Sequence, residues 1–460
     1  MSGTFENIDV PPTLVSFAVS TAMADKIVST EFKSAGDPVI LITPEYDENG
    51  LPVFDSIKAC FDKVEKLIAD GRANAVWTNG YGGVAEGITK MCFGNKIGFE
   101  FLAQLTEKQL FQPCYGSFIV ELNGEAEDGE TLIGQTIKDY NIVTRSYTMA
   151  LDELQQVWES KLEPVFPCRI KTTDEKPEAY SYNENIHLSA TIKAAQPKVL
   201  IPVFPGTNCE YDTARAFEKA GAVTETVVIR NMFAGDIEES VDYFEKAVRE
   251  SQIIMIPGGF SGGDEPEGSG KFITAFFRNP KIKDAVHDLL KNRDGLMLGI
   301  CNGFQALIKL GLVPYGEIVD MKDDSPTLTF NTIARHQSMM VNTRIASNKS
   351  PWLYGNKVGD IHTVPISHGE GRFVAPMDLI QKLAAKGQIA TQYVDMNGEP
   401  TMDIRYNPNT SIEAIEGITS PDGRVFGKMG HSERKGSFIG KNVEGNKDQM
   451  IFENGVKYFK

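Results

Sequence analysis

Positive charge, histidine and paired cysteine are all scarce in this chain. Its 46 Lys and Arg face 62 Asp and Glu, a net charge of −16. No basic run offsets that excess, so the surface repels phosphate backbones and anionic lipid; nucleic acid and membrane are not expected partners. The six cysteines stand far apart, at 60, 92, 114, 168, 209 and 301. No CxxC pair exists, which argues against a zinc ribbon or a thioredoxin-type site. Unpaired cysteines without a tight framework fit a reducing cytoplasm. No apolar run reaches the ~18 residues of a membrane helix. Val15 to Ala24 imitates a signal-peptide core, but Glu6 and Asp9 precede it where lysines belong, and Pro11-Pro12 interrupts the approach.

At 460 residues, the chain is long enough for two or three domains with cores that need neither disulfide nor metal. Residues 1–170 alternate short apolar strands with helical patterns: Pro38–Pro44 and Phe118–Leu122 read as strands, Asp55–Ala69 as a helix. Residues 171–196 are polar and read as a linker draped on the surface. Residues 197–460 open a stricter rhythm. Strands are expected at Val199–Phe204, Val223–Ile229, Gln252–Ile256 and Gly295–Ile300. Helices are expected at Tyr211–Ala220, Val241–Glu250 and Ile282–Leu290. Such alternation predicts a doubly wound parallel sheet with helices on both faces, whose ligands bind beyond the carboxyl ends of the strands.

Cys301 lies at that edge. A strand runs into Gly299-Ile300-Cys301-Asn302-Gly303, and a helix follows from Phe304. This is a nucleophile elbow with Cys in place of Ser. Its glycines flank a turn too tight for side chains, and the next helix aims its positive end at the sulphur, favouring thiolate. A buried inert cysteine is the competing reading; the flanking glycines and the strand–helix junction favour the nucleophile.

A thiol nucleophile needs a base. His431, in Gly430-His431-Ser432-Glu433, follows an expected strand at Val425–Met429. His431 and Glu433 then project from one side of an extended segment, and Glu433 can fix the imidazole tautomer. Surface His-x-Glu pairs are common, so the assignment leans on the elbow. The third strand ends in Pro257-Gly258-Gly259-Phe260-Ser261-Gly262-Gly263-Asp264. Backbone amides of Gly259 or Phe260, with Asn302, are candidate oxyanion donors; a plain flexible loop is the alternative. Gly268-Ser269-Gly270-Lys271 imitates a P-loop tail, but Glu265 and Phe272 break the pattern and phosphate binding there is rejected. His368, in Ser367-His368-Gly369-Glu370-Gly371-Arg372, could be a rival base, but its glycine-rich loop favours a structural or substrate-contacting role, and His336 is open to the same readings. His187, His287 and His362 carry no motif.

Together these pieces, with Pro205-Gly206-Thr207-Asn208-Cys209-Glu210, resemble the class I, triad-type glutamine amidotransferase part of the phosphoribosylformylglycinamidine synthases of purine biosynthesis. The resemblance implies a flavodoxin-like fold, Cys301, His431 and Glu433 as triad, and Gln305 shaping the glutamine pocket, where His336 and His368 remain candidate substrate contacts from their own setting. It implies L-glutamine as substrate and no metal or cofactor for glutamine hydrolysis. ATP and Mg2+ are implied for the complete synthase, which amidates formylglycinamide ribonucleotide. Asp9-Val10-Pro11-Pro12-Thr13-Leu14 and Gly82-Gly83-Val84-Ala85-Glu86 resemble an α+β aminoimidazole-ribonucleotide-synthetase-like C-terminal subdomain over residues 1–170. Tyr81 stands where such domains often carry an acidic residue, which argues against ATP chemistry there. Met1-Ser2-Gly3-Thr4-Phe5 resembles an internal stretch of the longer family chain, so a fragment or split subunit is expected, with a synthetase region or subunit as partner. A cysteine hydrolase of another substrate, or an inactive or regulatory scaffold, are the remaining readings.

Overall fold

The computed structural model describes residues 3–5, 8–10, 14–164, 170, 176–184, 189–233, 235–260 and 270–460. Two compact units divide the chain, Met1–Val165 and Phe166–Lys460. Parts of the expected linker, His187, the end of the glycine-rich loop and the first half of the P-loop imitation lie outside the described residues.

The first unit is built on a seven-stranded sheet ordered 73–78, 118–122, 38–42, 132–137, 98–101, 141–143, 148–150. Every pairing in it is antiparallel except that of 98–101 with 141–143. Helix Phe54–Ala69 buries Cys60, Val64 and Leu67, spaced three and four apart as an amphipathic helix requires. The glycine pair beside Tyr81 is used for packing. A Cβ on Gly83 would meet the Gln112 and Leu110 carbonyl oxygens at 2.6 and 2.7 Å. The Gly82 N–H donates to Glu86 Oε2 at 3.0 Å. That arrangement does not fit a phosphate cradle, and no ATP step is assigned to it.

The second unit begins with β1 (Lys198–Val203), α1 (Glu210–Lys219), β2 (Val223–Val228), α2 (Asp236–Glu250) and β3 (Ile253–Ile256). It continues with α3 (Lys271–Phe277), α4 (Pro280–Asn292), β4 (Leu296–Ile300) and α5 (Asn302–Leu310). Then come β5 (Gln337–Ile345), β6 (Ile361–His368), β7 (Ile389–Val394), β8 (Ile415–Thr419) and β9 (Val425–Lys428). Every residue of β3 and β4 is buried, as strands covered on both faces must be. Helix α2 starts at Asp236, earlier than its apolar spacing suggests, and the Asp236 carboxylate accepts the Met232 and Phe233 N–H groups at 2.9 Å, tying the preceding residues to its first turn. Pro280 opens α4 with Asn279 as its cap.

The sheet order is β2-β1-β3-β4-β9-β8-β7-β5-β6. The first five strands are parallel; four of them are those expected from the alternation, and β9 joins them from beyond it. The other four extend the same sheet antiparallel, which the alternation did not predict. The polar stretch before Lys198 is held more firmly than a draped linker: Tyr180 and Ala190 are buried in the core of this unit, and Arg344 donates to the Tyr180 carbonyl. Among the described residues no helix is long and apolar enough to cross a membrane.

Candidate active site

Cys301 caps α5 at the end of β4, with φ 53° and ψ −106°. A non-glycine residue in that region stores on the order of 1–3 kcal/mol of strain, held here by its neighbours. The Cys301 N–H donates to the Lys428 carbonyl at 2.9 Å, and its own carbonyl accepts the Gln305 N–H at 3.0 Å. Both flanking glycines are sterically required. A Cβ on Gly303 would lie 2.0 Å from the Ile256 carbonyl oxygen, and one on Gly299 would lie 2.7 Å from Gly303. The thiol is buried and lies 3.6 Å from the Ser367 carbonyl oxygen of β6. The nucleophile candidate thus sits between the parallel strands and the antiparallel extension.

His431 comes from the loop after β9. Its N–H donates to the Pro365 carbonyl at 2.8 Å, and its Nδ1 is 2.6 Å from Glu433 Oε1. Its Nε2 is buried with no protein hydrogen-bond partner. Gly258 leaves room for the ring, since a Cβ there would meet its Cε1 at 2.7 Å. Burial alone would push the imidazole down, but the charges of Glu433 and Cys301 outweigh it and hold His431 well above its ordinary range. Burial likewise pushes Glu433 up, and the charge and hydrogen bond of His431 bring it below the ordinary carboxylate value. Both shifts favour an ion pair.

That loop is anchored by a buried ion pair with no sequence motif. Lys428 Nζ lies 3.2 Å from Glu416 Oε1, both side chains fully buried. Lys428 also donates to the Gly430 carbonyl at 2.8 Å and to Ser432 Oγ at 3.0 Å. Glu416 accepts the Gly430 N–H at 2.6 Å and pairs with Thr391. Residues 428–432 are therefore fixed at both ends of the turn that presents His431.

The remaining candidates separate. Gln305 is buried and braced, accepting from Asn302 Nδ2 at 2.9 Å and donating to the Glu370 carbonyl. Asn302 is the first residue of α5, immediately after the thiol. Phe260 needs correction as an oxyanion donor, because its N–H is committed to the Gly206 carbonyl at 2.9 Å. The bridge between Thr207 and Gly259 creates that bond while leaving the Gly259 N–H outside the pairing. His368 ends β6, buried, with neither ring nitrogen partnered. Burial, with His431 and His336 nearby, lowers it to about 3. His336 is exposed and bonds Ser367 Oγ at 3.0 Å through Nε2. His287 accepts the Ile318 N–H at 2.9 Å, a structural role, and His362 is buried in β6.

Cys209, reached only as part of the Pro205–Glu210 motif, lies beside the triad candidates. Its sulphur is 3.9 Å from His431 Nδ1 and accepts from Arg434 Nη2 at 3.1 Å. Cys209, His431 and Glu433 bring three ligand-type atoms within 4.8 Å of one another.

The match to the family model for CobB/CobQ-like glutamine amidotransferase domains runs over residues 196–459. The phosphoribosylformylglycinamidine synthase subunit PurQ of Methanococcus maripaludis is 35% identical over 288 residues, 57% of this chain and 97% of that protein. The subunit of the same name from Aquifex aeolicus is 32% identical over 237 residues, 52% of this chain and 90% of that protein. A solved structure described as PurLQS from Thermotoga maritima is 25% identical, covers 58% of this chain and all of that one, and has a TM-score of 0.42.

Proposed function

The chain belongs to the CobB/CobQ-like glutamine amidotransferase domain family, and from that premise we propose how its own residues release ammonia. It is a glutamine-hydrolysing amidotransferase that serves the synthesis of formylglycinamidine ribonucleotide. The observation that carries the mechanism is the strained elbow at Cys301 beside a buried histidine that is paired through Nδ1 and unpartnered at Nε2.

The Cys301 thiolate attacks the side-chain carbonyl carbon of glutamine. Amides of Gly259 and Asn302 receive the oxyanion. His431, positioned by Glu433, protonates the leaving nitrogen; ammonia departs and a γ-glutamyl thioester remains. His431, now neutral, takes a proton from water, and the resulting hydroxide releases glutamate and regenerates the thiolate. His368 and His336, on the β6 side of the thiol, contact the substrate, and Gln305 keeps the pocket wall in place. Residues 1–170 act as a synthetase-like C-terminal subdomain. The ammonia is consumed at a synthetase site that uses ATP and Mg2+. The setting is a reducing cytoplasm, supported by five free cysteines among the described residues.

The test is glutamine hydrolysis by Cys301→Ala. Turnover is expected to vanish while circular dichroism matches the parent protein. Undiminished turnover contradicts the assignment. A parent protein that hydrolyses simple esters but not glutamine favours the cysteine-hydrolase reading.

A further inference from the structure

Three potential metal ligands converge on the Nδ1 edge of His431, away from the nitrogen that serves Cys301. We propose that Cys209, His431 and Glu433 form an inhibitory site for a thiophilic divalent cation of the zinc class. The inhibitory effect rests on the glutaminase reading above; the binding does not.

The ligand set is a thiol, an imidazole and a carboxylate, the mixture that zinc selects. Zinc–ligand bonds of about 2.0–2.3 Å place tetrahedral ligand atoms roughly 3.3–3.8 Å apart. The Cys209 Sγ to His431 Nδ1 separation of 3.9 Å is already close to that range. The Nδ1 to Glu433 Oε1 separation of 2.6 Å must widen, so the cation replaces the proton shared by that pair. Two independent features point to a ligand. Glu433 Oε2 is buried without a hydrogen-bond partner, so one carboxylate oxygen has coordinating capacity in hand. Glu433 also borders a cavity of about 370 Å³, whose lining mixes Asp212, Asp448 and Glu453 with at least as many basic side chains. Lys435 neutralises Asp448 and Glu453, and Arg215 pairs with Asp212, so the cavity offers a cation a way in rather than a net attraction.

Chemistry follows from the ligand atoms. Cys209 directs its S–H at Asn208 Oδ1 at 3.1 Å; metal binding expels that proton to solvent and forms the metal–sulphur bond. Arg434 continues to donate to the sulphur, stabilising its negative charge. With Nδ1 on the metal, the neutral imidazole carries its proton on Nε2. It then has no lone pair there to accept a proton from thiol or water, and hydrolysis stops.

The experiment is a Co2+ titration of the full chain, following the thiolate-to-cobalt charge-transfer absorbance, with Zn2+ as competitor. The band is expected in the parent protein and in Cys301→Ser, which is silent in catalysis, and is expected to be lost in Cys209→Ser. In parallel, Zn2+ should inhibit glutamine hydrolysis reversibly, with a chelator restoring it. The Cys209→Ser protein should still turn over glutamine and tolerate more zinc, by a factor beyond the roughly 10–100-fold that follows loss of an outer-shell partner. A second measurement needs no change at 209: in Cys301→Ser, Zn2+ should protect Cys209 from alkylation, read by peptide mass spectrometry. A band that survives Cys209→Ser and disappears in Cys301→Ser places the metal on the nucleophile and overturns the proposal. So does absence of both band and protection at saturating metal. If Cys301→Ala retains turnover while Co2+ still binds through Cys209, the glutaminase reading fails and the metal site stands.

Discussion

The parallel and antiparallel halves of the second unit's sheet each deliver one buried histidine to the site, and the two are tuned in opposite directions. His431 follows β9, the last parallel strand, and is raised well above its ordinary value although burial opposes it, because Glu433 and Cys301 carry the opposing charge. His368 ends β6, the outermost antiparallel strand, and is lowered to about 3 by burial and by its histidine neighbours, with no carboxylate among the causes. Burial is nearly equal at the two sites. The difference teaches that the partner, not the depth, decides which imidazole is raised and which is lowered. His431 is suited to acid–base work, and His368 to a neutral contact.

The strongest way to break this contrast is to remove the partner. Glu433→Gln should lower glutamine turnover by roughly 10²–10⁴-fold, since an amide no longer stabilises the imidazolium or fixes its tautomer. The pH profile supplies the sign. Glu433 raises His431, so its loss lets His431 release its proton at lower pH, and the basic limb of kcat/KM should move down. An unmoved limb with full activity contradicts the role given to Glu433.

The next largest effect lies at the seam where β9 meets β8. Lys428→Met leaves Glu416 buried without its cation and should destabilise the second unit by about 3–5 kcal/mol. The double replacement Lys428→Met/Glu416→Leu should recover much of that stability in urea denaturation, but not the placement of His431, so turnover stays low. Gly303→Ala, within the parallel half, forces a Cβ against the Ile256 carbonyl. It should cost about 1–3 kcal/mol and reduce turnover, read by the same denaturation curves. The smallest effect is expected on the antiparallel side. His368→Leu should raise KM for glutamine by roughly 10-fold, the scale of one lost hydrogen bond to a buried site, with kcat less affected. A larger loss in kcat than in KM would return His368 to the role of base.

The parallel half was the legible one, for a physical reason. Strands such as Ile253–Ile256 are continuous apolar runs closed by Pro-Gly or Gly turns, and the helices between them keep a clean apolar spacing. The elbow at Cys301 is local, so its glycines can be read directly. The antiparallel strands mix polar and apolar residues: Gln337–Ile345 carries Asn342, Thr343 and Arg344 beside its core residues, and no turn signature isolates it. The Lys428–Glu416 pair was invisible for another reason. Two charges on consecutive strands become buried partners only when β8 and β9 pair side by side, and no spacing rule marks them beforehand. The misplaced donor at Phe260 has the same origin, since the Thr207–Gly259 bridge that consumes its N–H joins separate loops. Cys209 stood in a recognised motif, but its nearness to His431 depends on the packing of Gly258 between them.

The central claim is that Cys301 carries the glutamyl group, and trapping that intermediate tests it most directly. Acid quenching during steady-state glutamine turnover, followed by peptide mass spectrometry, should find one γ-glutamyl adduct on the peptide containing Cys301. The adduct should be absent from Cys301→Ala. Sustained ammonia release with no adduct at Cys301, or with the glutamyl group on Cys209, would contradict the account.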